Sequence, residues 1–148
     1  MKFRFLWVGK TRNKNYLALQ DEYLQRLSHF VKCETVEVRD LRDGKESEGK
    51  RLVEKVNPNS LVCLLDVTGR SLSSLDLARQ VEGWQNAGQK EIAFIIGGAD
   101  GVSPEVAERA NAVLSLSFLT FTHEMARVVM LEQLYRAFTI IKGYPYQK

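Results

Sequence analysis

Helix and strand patterns alternate along this chain, which predicts an α/β fold with a mainly parallel sheet and helices on both faces. Three observations carry that prediction. The runs Leu61 to Val67 and Glu91 to Ile96 are almost continuously apolar, as parallel strands covered on both sides must be. The stretches between such runs carry helical spacing and end at glycines. No repeat, low-complexity segment or linker interrupts the pattern, so the 148 residues read as one domain over residues 1–148.

Lys2 to Val8, apolar and aromatic and stopped by Gly9, is the first strand. Asn13 to Phe30 follows as a helix, with Tyr16, Tyr23, Leu27 and Phe30 on one side and Leu17, Leu24 and Val31 alongside. Glu34 to Val38 alternates, which predicts a half-buried strand near an edge. The charge-dense stretch from Asp40 to Lys55 is expected to be a loop and then a helix turning Leu52, Val53 and Val56 inward, the whole a solvated, mobile surface segment. Asn57-Pro58-Asn59 is a turn, and Leu61 to Val67 a central strand whose exit loop is Thr68-Gly69-Arg70. Ser73 and Asp76 have the spacing of a capping box, opening a helix that carries Leu77, Val81 and Trp84 and closes at Gly88. Glu91 to Ile96 then feeds the turn Gly97-Gly98-Ala99-Asp100-Gly101. Ser103-Pro104-Glu105 starts a short helix to Ala110, as an N-cap, a first-turn proline and a first-turn acid. Val113 to Ser117 is the last strand, Phe118 to Thr122 its exit loop, and a long amphipathic helix ends at Gly143 before the tail from Tyr144 to Lys148. Two strand-end loops side by side at the carboxyl edge of such a sheet make a ligand crevice.

Bulk composition excludes more than it selects. Forty-five per cent hydrophobic and 26 per cent charged residues are ordinary for a soluble globular protein, and a net charge of +3 does not demand a nucleic-acid partner. Its distribution is the more telling feature: Lys2, Arg4, Lys10, Arg12 and Lys14 open the chain with no acid among them. Cys33 and Cys63 are read as free thiols in a reducing cytoplasm, and with only His29 and His123 available there is no metal-ligand spacing. The longest apolar stretches fall far short of the ~20 residues of a membrane-spanning helix, so neither membrane nor metal is expected.

Several motifs in register carry a family resemblance: IGGADG, LSLSFLTFTHEMARVV, EQLYRAFTIIKG and the PYQK ending, with Val8-Gly9-Lys10 at the end of the first strand. Together they resemble the SPOUT-class methyltransferases that modify N3 of a pseudouridine in helix 69 of 23S ribosomal RNA. The resemblance implies a fold with a C-terminal trefoil knot, a homodimer, S-adenosylmethionine as cofactor and ribosomal RNA, within an assembled ribosome, as partner. It assigns cofactor contacts to Leu65, Gly97, Leu116, Ser117, Phe118, Leu119, Thr120 and Phe121. It also implies that the tail lines the active site, where the position of Gln147 is usually histidine.

The residues themselves agree with a cofactor gripped by backbone and apolar walls. The glycine turn lacks the Lys-Ser/Thr of a phosphate-binding loop and the spacing of a dinucleotide fingerprint. No catalytic triad, carboxylate pair or metal cluster is visible, and methyl transfer from a sulfonium needs none, because alignment does most of the work. Removing the N3 proton does call for a base or a stabilising cation. The candidates are His123 and Arg127 on the last helix, and Tyr146 and Lys148 in the tail. Two rivals stand beside this reading: a ribosome assembly factor of the same fold that has lost activity, and a nucleotide-binding module of another type.

Overall fold

In the computed structural model, which describes residues 1–98 and 100–146, strand alternation sorts side chains into two cores. β1 (Lys2–Val8) turns Phe3, Phe5 and Trp7 to one face and Leu6 and Val8 to the other. β4 (Glu91–Ile96) does the same with Ile92, Phe94 and Ile96 against Ala93 and Ile95. α1 (Lys14–Ser28), α3 (Ser74–Asn86) and α5 (His123–Lys142) cover the first face. α2 (Lys45–Glu54) and α4 (Pro104–Arg109) cover the second. With β2 (Lys32–Val38), β3 (Leu61–Ser71) and β5 (Ala112–Ser115), the strands form one sheet in the order β2-β1-β4-β3-β5, every pairing parallel. The half-buried alternation of β2 places it at an edge, as its sequence predicts.

Aromatic packing fixes the larger core. The Phe94 ring lies 5.0 Å from Phe3, 5.4 Å from Phe5 and 6.0 Å from Trp84, all centroid to centroid. Emptying such a site by Phe94→Ala costs about 3–5 kcal/mol in comparable cores. Helix starts follow the sequence closely. The side chains of Asn13, Ser73, Ser103 and Thr122 each accept a backbone N–H of the first turn, and Gly143, at φ 72°, ends α5 in the left-handed conformation.

The structure departs from the sequence expectations at four places, each with a physical reason. Leu17 is 38% exposed rather than inward, because α1 turns Gln20 and Leu27 to the core. The charged stretch after β2 is not merely a solvated surface, since α2 buries Glu48, Gly49 and Leu52. Thr68-Gly69-Arg70 is not an exit loop but part of β3, which re-pairs with β5 after a register shift between Leu65 and Arg70. Of the opening cations, Arg4 is internal: its Nη1 donates to the Lys55 carbonyl at 2.7 Å and its Nε lies 3.3 Å from Glu34. On α5, Leu131, Leu134 and Phe138 are buried in the main core, and Met125, Val128 and Tyr135 are half-buried.

Candidate active site

The middle of β3 and the carboxyl ends of β4 and β5 open into a cavity of about 470 Å³, within the range of small-molecule sites. Leu65 and Asp66 come from β3, Ile96 and Gly97 from the end of β4, and Leu116 and Ser117 from the loop after β5. The start of α5 closes one side through Thr122, His123 and Ala126. The loop after β5 is held by its own hydroxyls. Ser115 Oγ donates to the Ser117 carbonyl at 2.9 Å, and the Leu119 N–H donates to Ser117 Oγ at 3.0 Å. Asp66 is held likewise, accepting the Thr68 N–H at 3.1 Å and the Thr68 hydroxyl.

Gly97 is required by close approach. A Cβ there would sit 2.6 Å from Val102 Cγ1 and 2.8 Å from the Gly101 carbonyl oxygen, so even alanine would displace the turn that forms the cavity wall. The turn is closed by the Gly101 N–H donating to the Gly98 carbonyl at 3.1 Å. Its tip, Ala99, lies outside the described residues.

Of the residues assigned to the cofactor, Leu65, Gly97, Leu116, Ser117, Leu119, Thr120 and Phe121 line this one cavity. Phe118 does not: it is 87% exposed, turned out between its two lining neighbours. Among the described lining residues only Asp66 and His123 have ionisable side chains. The Asp66 contribution had a sequence signal that was passed over, as the first charge at the carboxyl end of an apolar strand. The lining suits a ligand with a flat ring to set against apolar walls, polar edges for backbone groups and a cationic centre for the carboxylate; the adenine and sulfonium of S-adenosylmethionine have that chemistry.

Two more of the proposed catalytic residues, Arg127 and Tyr146, do not line this cavity. Arg127 is 1% exposed, and not on the polar side of α5 where the sequence puts it. Its Nη2 donates to the Val8 carbonyl at 2.7 Å and its Nη1 to Thr11 Oγ1 at 2.8 Å, with the guanidinium 4.7 Å from the Trp7 ring centre. Burial pulls its pKa down to about 10, with Glu124 and Glu37 acting against the shift. Tyr146 donates to Glu132 Oε1 at 3.0 Å, and its ring lies 4.9 Å from Tyr135 and 4.8 Å from the Arg136 guanidinium. Burial, then the bonds to Tyr23 and Glu132, raise its pKa, which makes this phenol a donor and not a base. From His123 to Glu132 the helix rises about 14 Å, at ~1.5 Å per residue. Lys148 and Gln147 lie outside the described residues.

Burial pushes the Cys33 and Cys63 thiols up to about 12, so neither is a ready nucleophile. A smaller cavity of about 270 Å³ between β3, α3 and α5 shares Leu65 and Leu116 with the first.

Comparison with known proteins completes the picture. The family model described as "Predicted SPOUT methyltransferase" matches residues 1–147. A protein of Anaeromyxobacter dehalogenans (strain 2CP-1 / ATCC BAA-258), named Ribosomal RNA large subunit methyltransferase H, is 42% identical over 154 residues, covering all of both chains. Proteins of the same name from Halothermothrix orenii and Desulfotalea psychrophila are 42% and 43% identical, again over the whole of both chains. With the parallel sheet and the strand-end cavity, this full-length match settles the family: the chain belongs to the SPOUT methyltransferases.

Proposed function

We propose that this protein methylates N3 of a pseudouridine in helix 69 of 23S ribosomal RNA, using S-adenosylmethionine. The observation that carries the reading is the convergence of the strand-end loops: seven of the eight residues assigned to the cofactor line one cavity. Relatives covering the whole chain, named as ribosomal RNA large subunit methyltransferases, support the substrate class. Three exposed cations, Lys10, Arg12 and Lys14, support it too. They follow β1 at the same carboxyl edge, where the Arg12 and Asn13 N–H groups donate to Glu124 of α5. RNA backbone approaching the cavity would meet them first.

When bound, the cofactor supplies a methyl group on an already activated sulfonium. The chain's task is to grip it by the backbone of residues 116–121 and to align the acceptor nitrogen in line. His123, on the cavity wall at the start of α5, is the side chain placed to take or screen the N3 proton. Arg127 works from behind, fixing the end of β1 to α5.

The tail fits this scheme only through a second copy. Tyr146 is anchored well along α5 from its own cavity, and in this reading it serves, with Lys148, the cavity of a partner in a homodimer. Phe118 at 87% and Leu119 at 74% exposure, beside the half-buried Met125 and Val128, are apolar surface that a two-fold contact would cover. The trefoil knot and a cytoplasmic location belong to the same reading.

Calorimetry and light scattering test it. The protein is expected to bind S-adenosylmethionine and to scatter as a dimer at micromolar concentration. Deleting residues 146–148 should spare cofactor affinity and lower methyl transfer by ~10²-fold, the scale of a lost positioned group. Cofactor binding without transfer to ribosomes would favour the assembly factor, and failure to bind the cofactor would sink both.

A further inference from the structure

The charged stretch of α2 contains a buried acid that the scheme above does not use. Glu48 is 9% exposed, and its carboxylate lies against the glycine turn of the cavity. A Cβ placed on Gly98 would sit 2.7 Å from Glu48 Oε2, so the oxygen fills the space that only a glycine leaves there. The next residue, Gly49, packs against the side chains of Ser103 and Val106, which begin α4 on the other side of the turn. Glu48 and Gly49 are therefore a single seat under Gly98 and Ser103, and Gly97, Gly98, Gly101 and Val102 line the cavity.

The surroundings give the carboxylate little help. Asp40 and Asp43 face it from the connection before α2, and Asp100 faces it from the turn. Arg51 is the cation that acts on it, and Arg51 is already engaged by Asp43 through two bonds of 2.8 and 2.9 Å. From α4, Glu105 and Glu108 are exposed, and Arg109 is bonded to the carbonyls of Asn57, Pro58 and Ser60. Burial, then repulsion from Asp40 and Asp100, raises the Glu48 pKa above the ordinary 4.5. A buried carboxylate among like charges is unfavourable in the empty protein. A cation on the other side of the turn offsets part of that cost by attraction.

We propose that Glu48 is a positioning residue for the cofactor turn, acting through Gly98 to favour a cationic ligand in the cavity. This rests on the cofactor reading above. Binding of a cation shifts Glu48 toward its ionised form, so binding releases a proton to solvent wherever Glu48 is partly protonated beforehand. The amide in Glu48→Gln keeps the shape and removes the charge.

The test is calorimetry in two buffers of different ionisation enthalpy, at about pH 5, near the upper carboxylate range. Two probes are used, S-adenosylmethionine and the neutral thioether S-adenosylhomocysteine. The wild type is expected to release more protons on binding the sulfonium than the thioether. E48Q should lose that difference and bind the sulfonium several-fold more weakly, with thioether affinity little changed. Because Asp66 and His123 also line the cavity, the readout is the difference between wild type and variant. The wild type gives a second measurement that needs no variant: its preference for sulfonium over thioether should grow from about pH 5 to about pH 7. Equal proton release and equal preference in E48Q, or a preference in the wild type that does not vary with pH, would overturn the role of Glu48 alone. Failure of the wild type to bind either probe would overturn the cofactor reading, and this proposal with it.

Discussion

Arg127 shows how a residue's chemistry can be legible while its role is not. The sequence shows a cation one turn into a helix beside the cavity, which suggests catalysis or a surface salt bridge. In the fold it is sealed inside, bonded to Val8 and Thr11 and stacked on Trp7. Its period along α5 could not reveal this, because a guanidinium satisfied by a strand-end carbonyl depends on a contact 119 positions away in the chain. Arg127→Met should destabilise the fold by about 2–4 kcal/mol, through an orphaned Val8 carbonyl and a lost Trp7 contact. Folded variant should bind the cofactor normally. Thermal unfolding and calorimetry check the two halves, and normal stability with lost transfer would return Arg127 to the catalytic list. Glu48 carries the opposite sign to an ordinary surface acid. Its pKa is raised in the folded state, so its ionised form costs stability, and stability falls as pH rises through the raised value. E48Q should therefore melt higher than wild type near neutral pH and match it under acid conditions where both side chains are uncharged.

At the scale of elements, the sequence was most informative where the local rule and the tertiary rule agree. The apolar runs of β3 and β4, the alternation of β2 and the caps at Ser73, Ser103 and Gly143 all meant what they usually mean. The end of β3 did not. Thr68-Gly69-Arg70 has the composition of a turn, yet Gly69 lies against the backbone of β5, where a Cβ would sit 2.6 Å from Val113 C and O. The glycine is there to let two strands touch, and turn composition cannot distinguish that use from a tight bend. Gly97 gives a related lesson: a glycine at the cavity was legible, but its need to make room for the turn's own Gly101 and Val102 was not. Gly69→Ala should push β3 away from β5, destabilise by about 1–3 kcal/mol as over-packing does, and weaken cofactor binding, because Leu65 and Asp66 lie just upstream. Unchanged melting temperature and affinity in that variant would mean the β3 extension can move aside freely.

The whole molecule concentrates its function at one edge of the sheet. The cavity, the glycine turn, the start of α5 and the exposed cations after β1 all lie at the carboxyl ends of the strands. That edge was legible because strand-end loops are contiguous in sequence. The seat that α2 builds beneath the turn was not, because Glu48 and Gly98 are brought together only by the packing of α2 on α4. The position of Tyr146 was illegible for another reason: its bond to Glu132 folds the residue back onto the middle of α5, a contact that no local pattern in the tail announces. The most direct measurement of the account is methyl transfer itself. Large-subunit ribosomal RNA that lacks the modification, in assembled ribosomes, is incubated with the protein and methyl-labelled S-adenosylmethionine, then digested and mapped by mass spectrometry. One labelled methyl group on a pseudouridine in helix 69 is the predicted result; no label, or label confined to any other nucleotide, would contradict it.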